Sequence, residues 1–166
     1  GHVPSVASNV AAGVEVDLIA YRYPALSRYD NTQGTGQLRL RRFGAGWQVT
    51  GGAGWTSDVA ADRPGGNRAG PVANLRWQAL PFEGFSLDLL LQWRRLDDSG
   101  PYSPLLWEGA VRAQRQWLAL FSAERRLGPR DALRLELSRT VASDTLPIFE
   151  WSGTTLGLTW IHTPRQ

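Results

Sequence analysis

The sequence predicts an all-β chain: one domain over residues 1–166, an antiparallel up-and-down barrel of about eight strands. Three observations predict it. Segments such as Gln37-Leu38-Arg39-Leu40-Arg41 and Leu133-Arg134-Leu135-Glu136-Leu137 alternate apolar and polar residues with period 2, as half-buried strands do. The connections follow a long, short, long order, giving four long loops and three short turns. No long window carries apolar residues at i, i+3 and i+4, and the poor helix formers Gly and Thr are spread through the segments.

The first strand is expected over Val14 to Tyr23, with Val14, Val16, Leu18 and Ala20 on one face and Glu15 and Asp17 on the other. A loop rich in turn formers, Pro24 to Thr35, leads to a second strand, Gly36 to Phe43. Gly44-Ala45-Gly46 is a tight turn before the third strand, Trp47 to Trp55. The long polar stretch Thr56 to Pro71 reads as a loop, and Pro64-Gly65-Gly66-Asn67 reads as its mobile tip. The fourth strand, Val72 to Leu80, and the fifth, Phe85 to Arg95, flank the short turn Pro81 to Gly84. After a loop from Leu96 to Pro104, the segment Leu105 to Arg126 reads as one strand. Trp107, Val111, Ala113, Trp117, Ala119, Phe121 and Ala123 keep one phase throughout, which a turn would reset, and no Gly, Pro, Asn or Asp marks a turn near Gln114 to Gln116. The turn Leu127 to Arg130, a seventh strand Ala132 to Val141, a loop Ala142 to Ser152 and an eighth strand Gly153 to His162 complete the chain.

Composition narrows the classes. Cys is absent, so neither disulfides nor a Cys-ligated metal site can be built. Met is absent too, so the chain is expected to be mature or excised; any secretory signal is expected to have been removed. No apolar run approaches the ~18 residues of a membrane helix; Leu89-Leu90-Leu91 is flanked by Asp88 and Gln92. A membrane reading is therefore a barrel reading. The net charge is +3, and all 18 basic residues are Arg. A GC-rich genome is one explanation; the functional ones are a packed interior ion network and contacts to lipid phosphates. Arg alternates with Asp and Glu and forms no basic stripe, which argues against nucleic-acid binding.

Alternation alone does not say which face is wet. A soluble ligand-binding barrel of the lipocalin type keeps its apolar face inside, and a transmembrane barrel keeps it outside. Three features point to the membrane. Trp47, Trp55, Trp93, Trp107 and Trp160 lie near segment ends on the apolar face, where interface aromatics gather. The polar faces carry both signs: Glu15, Asp17, Arg39, Arg41, Arg76, Asp88, Arg94, Arg112, Glu124, Arg134 and Glu136. They are expected to form an ion network filling the lumen of an eight-strand barrel. The loop asymmetry matches long outer loops against short inner turns, and closure satisfies the backbone where lipid offers no partner.

This pattern resembles the small outer-membrane barrel proteins of Gram-negative bacteria, of the eight-strand OmpA/OmpX-like type. A narrower echo lies in Leu137-Ser138-Arg139-Thr140, Leu146-Pro147-Ile148-Phe149-Glu150-Trp151 and Leu156-Gly157-Leu158-Thr159-Trp160, which look like the last hairpin of barrels attached to tetratricopeptide-repeat export proteins. The resemblance implies an integral, monomeric outer-membrane barrel in contact with outer-membrane lipids, structural, adhesive or accessory to envelope export. A periplasmic or surface protein would be met through the loops.

Catalysis has little to work with in the sequence. A lipid A-modifying enzyme, the alternative from another class, needs a Ser or Thr activated by a His that a carboxylate orients. The one histidine away from the start, His162, has no such neighbour in sequence and is expected to be a membrane-interface residue. Glu15/Asp17 and Asp97/Asp98 are expected to pair with Arg rather than serve as acid/base pairs. Gly51-Gly52 and Gly65-Gly66 do not sit in the strand–loop–helix order of a phosphate loop, and no metal-ligand cluster stands out. No catalytic residue, cofactor or metal is assigned.

Overall fold

A computed structural model describes residues 9–24, 30–60, 62–103, 105 and 107–163, with Trp107 described by its backbone only. Eight strands follow one another: β1 Val10–Tyr21, β2 Asn31–Gly44, β3 Trp47–Ala60, β4 Arg68–Phe82, β5 Phe85–Pro101, β6 Val111–Arg126, β7 Asp131–Asp144 and β8 Trp151–His162. Short 3-10 turns at Trp107–Gly109 and Pro147–Phe149 sit in two of the loops. Each strand pairs antiparallel with the next, in the order β1 to β8. β1 and β8 are the sheet's two edges, and no β1–β8 pairing occurs among the described residues.

The short turns are where the sequence places them. Gly46 and Gly84 adopt φ of 73° and 71°, the left-handed region that a side chain disfavours, and each closes a tight hairpin. The single sixth strand also stands: β6 pairs without interruption through Gln114, Arg115 and Gln116. Its start differs. Glu108 (φ 54°) and Gly109 (φ 74°) turn the backbone left-handed, so pairing begins at Val111 rather than Leu105.

The long loops are shorter than expected. β2 begins at Asn31, β3 runs on to Ala60, β4 begins at Arg68, β5 reaches Pro101 and β7 reaches Asp144. The reason is that strand pairing overrides local turn propensity. Gly34 and Gly36 pair as ordinary ladder residues, and Thr56, Asp58 and Asp98 are polar because they point into the sheet's concave side, not because they lie in a loop. The Pro64-Gly65-Gly66-Asn67 tip is also tied down. Gly66 N–H donates to the Arg63 carbonyl (2.9 Å), Ser99 N–H to the Asn67 carbonyl (2.8 Å) and Gly100 N–H to the Gly65 carbonyl (3.1 Å).

The sheet curls: one cavity is lined together by Gln33 and Gln37 of β2, Asn74 of β4, Arg94 of β5 and Gln116 of β6. The register assigns every strand residue to one face. The concave face carries the polar set. The convex face carries Val14, Val16, Leu18, Leu38, Leu75, Leu91, Leu137, Leu156 and Leu158, with exposure as high as 76% at Val16 and 69% at Leu158. Among the described residues the buried apolar set is small: Ala60, Ala79, Leu96, Ala132, Ala142 and Leu146. Apolar side chains therefore sit on the outside of the curl.

Candidate functional site

The concave face is a ladder of amides and ion pairs. Near the short turns, Arg76 Nε donates to Asp88 Oδ1 at 3.0 Å from the adjacent strand. Gln78 Nε2 donates to the same carboxylate (2.9 Å), and Gln48 bonds to Gln78. Arg134 donates to Glu124 (2.6 Å), and Arg39 pairs with Glu15 (2.5 Å). Midway along the strands, Asn74 Nδ2 donates to Gln37 Oε1, and Thr35 and Thr56 share a hydrogen bond at 3.0 Å. Arg94 donates to the amide oxygen of Gln116 (2.6 Å) rather than to a carboxylate. The cavity here has a volume of about 330 Å³ and opens onto neutral hydrogen-bonding groups around that one guanidinium.

Of the eleven residues expected in an ion network, the structure joins Glu15 with Arg39, Asp88 with Arg76, and Glu124 with Arg134. Arg112 is paired, but with Asp144 (2.7 Å). Asp17, Arg41, Arg94 and Glu136 lie on the concave face without an ion pair among the described residues.

The loop end of the cleft holds a further cluster, of whose members the sequence singles out Arg112 and Asp98. Asp58 accepts from Arg63 (2.8 Å) and Arg68 (2.7 Å), while Asp144, fully buried at its side chain, holds Arg112. The Arg112 guanidinium lies 3.9 Å from the centroid of the Phe149 ring, against which Tyr102 stands edge-on. Burial holds the Asp98 carboxyl above the ordinary carboxylate range, against the opposite pull of Arg112, Arg68 and Arg63. The signal in the sequence was present: Asp58, Arg68 and Asp98 alternate in phase with their strands. Asp58 and Arg68 fall in the stretch Thr56 to Pro71, whose polarity and glycines suggest a loop.

On the convex face, charged residues occur only near the strand ends. Arg42, Arg125, Asp131 and His162 lie at the short-turn end, and Arg95, Asp97, Arg115 and Arg139 toward the loop end. Trp47, Trp55, Trp93 and Trp160 lie on this face, joined by Trp77 and Trp117; the Trp107 side chain is outside the described residues. On β3, Trp47 and Trp55 are eight residues apart, as are Phe85 and Trp93 on β5. Phe82 stacks on Phe85 with centroids 4.8 Å apart, and Trp93 meets Trp117 at 6.2 Å.

His162 has a carboxylate partner that the sequence did not reveal. Its Nδ1 lies 2.9 Å from Asp131 Oδ1, which also accepts from Trp160 Nε1 at 3.0 Å. These bonds hold the partly exposed Asp131 carboxyl below its ordinary range. No Ser or Thr hydroxyl bonds to His162 among the described residues. No group of three or more metal-ligating side chains occurs among the described residues. The chain matches no protein-family model, no curated protein and no solved structure.

Proposed function

We propose that the eight strands close into a transmembrane barrel in the bacterial outer membrane. There the chain is an integral, non-catalytic and monomeric envelope component, structural, adhesive or accessory to export, acting through its loops. One observation carries the reading: the exposed convex face is uncharged between two aromatic rows. Eight residues of strand span about 27 Å, or about 20 Å along the membrane normal at a tilt of about 40°, close to the apolar band of an outer-membrane barrel. A soluble ligand-binding barrel would place these apolar residues in the cavity, which here is lined with amides.

The register defines the seam that closure needs. Cross-strand partners lead from Ala11 through Arg41, Thr50, Arg76, Leu90, Leu120 and Ser138 to Thr155. Eight strands closed at a tilt of about 36° need a stagger of about eight residues. Thr155 then meets Ile19, Asp17 meets Gly157, and Val16 meets Leu158, with apolar residues of both edges on the outer face. A stagger of the opposite sense would carry Thr155 past the start of β1.

The test is the purified chain in detergent. A folded barrel migrates faster on a gel when unboiled, and Val16→Cys with Leu158→Cys gives a disulfide within one chain. A chain that stays monodisperse without detergent and shows no heat-dependent migration overturns the reading. A disulfide between chains instead assigns the edges to a second copy.

A further inference from the structure

At the loop end of the convex face, Arg95 of β5 and Arg115 of β6 are direct cross-strand partners. Like charges placed opposite one another destabilise a sheet unless something lies between them. Arg95 is partly occupied, its Nε 2.9 Å from Asp97 Oδ1 in a pair about two-fifths exposed at both side chains. Arg115 is exposed and has no ion pair or hydrogen bond among the described residues. On the next strand Arg139 bonds to the Thr154 hydroxyl at 2.8 Å; it lies opposite Ala119, four residues along β7 from Ser143, the partner of Arg115. At this level two guanidiniums thus face one carboxylate.

Immediately inward of Arg95 and Arg115 lies the Trp93–Trp117 pair. Trp rings settle at head-group depth, which puts both guanidiniums at the level of lipid phosphates. The geometry points to a binding site for a lipid phosphomonoester, with the phosphate between Arg95 and Arg115 and the acyl chains along Trp93 and Trp117. Guanidinium forks match phosphate oxygens in pairs. A phosphomonoester carries about −1.5 to −2 charge at pH 7 and presents three acceptor oxygens, enough to serve both guanidinium forks at once. A phosphodiester lipid carries a single negative charge and presents two free oxygens, enough for one fork. The inference rests on the membrane reading above, because a convex face in water meets no lipid.

The test is native mass spectrometry of the folded protein from detergent micelles doped with phosphatidic acid or with phosphatidylglycerol. Heat-dependent migration is checked first for every sample. Phosphatidic acid should be retained roughly tenfold more tightly than phosphatidylglycerol, and Arg95→Gln with Arg115→Gln should remove that preference. Arg42→Gln with Arg125→Gln, at the opposite end of the face, should keep it. Equal retention of the two lipids, or a preference that survives Arg95→Gln with Arg115→Gln, overturns the site and leaves the barrel standing. Inorganic phosphate that displaces phosphatidic acid at equal concentration also overturns it, since the site then reads phosphate and not a lipid. A chain that never folds in detergent overturns both readings together.

Discussion

Asn74 and Gln37 are joined across a strand that separates them. The Asn74 amide on β4 donates to the Gln37 carbonyl oxygen on β2, and the residue between them on β3 is Gly52. A Cβ built at Gly52 would stand 2.9 Å from Gln37 Oε1 and 3.1 Å from Asn74 Nδ2. The bridge exists because position 52 has no side chain. Gly52→Ala should be accommodated by a small shift of the two flexible amides. Gly52→Leu should break the bridge and destabilise the fold by about 1–3 kcal/mol, the usual cost of overpacking. Denaturant unfolding of the two variants in detergent checks the difference.

Asp144 should matter more than any other carboxylate of the chain. Its side chain has no solvent exposure, and Arg112, 13% exposed, depends on it. Asp144→Ala leaves that guanidinium without its counter-ion and should cost about 3–5 kcal/mol. The double variant Asp144→Ala with Arg112→Leu should recover part of the loss. Equilibrium unfolding of wild type, single and double variants measures it.

Asp98 gives a pH dependence of definite sign. Its carboxyl is raised above the ordinary range by burial, so the folded chain binds the proton more tightly than the unfolded chain. Stability therefore rises as pH falls from above the folded value toward the ordinary carboxylate range, and is flat with respect to this group below it. Asp98→Asn removes the buried charge, so it should stabilise the chain at neutral pH and flatten the slope through that window. Unfolding midpoints across a pH series provide the measurement.

If the convex face meets lipid, charge placed at its centre should be costly. Leu89→Arg, Leu135→Arg and Leu158→Arg should each destabilise the folded protein by about 2–4 kcal/mol when at mid-membrane. Cysteines at these positions should resist a water-soluble thiol reagent in intact membranes, while cysteines at Arg76 and Arg134 should react.

His162→Ala should leave lipid A unchanged. Asp131 orients the imidazole, but no hydroxyl joins them among the described residues, and an acyl-transfer site needs a nucleophile. Mass spectrometry of lipid A from cells carrying wild type, His162→Ala or no protein decides it. A change in acyl number that disappears in His162→Ala would make the chain an enzyme.

Strand number, order, the three short turns and the unbroken sixth strand were legible because each leaves a local trace: alternation, Gly at a tight turn, an unreset phase. Strand ends were not. Thr56, Asp58, Arg68 and Asp98 look like loop residues one at a time, and only pairing of β3 to β4 and β5 places them in one concave row. The same limit applied to the site. Arg39 with Glu15 and Arg134 with Glu124 could be anticipated from alternating charge on adjacent strands. Arg112 with Asp144 could not, because Asp144 fell in an expected loop. The Asp131–His162 pair joins the first residue of β7 to the last of β8, 31 residues apart in sequence, and its carboxylate follows the turn residue Arg130.

The strictly sequential strand order has a kinetic consequence. Every pairing in the sheet joins strands that are neighbours in the chain, so each can form as soon as two adjacent segments are free. Closure is different in kind. It would bring together the first strand and the last, and the chain entropy of ordering everything between them is lost at that step. Folding of such a chain would have seven quick, local events and one slow, distant one. Until the last is complete, two rims of unsatisfied backbone are available to any other strand that passes. The interval before closure, rather than the finished fold, is where this protein would be most prone to aggregate and most dependent on assistance.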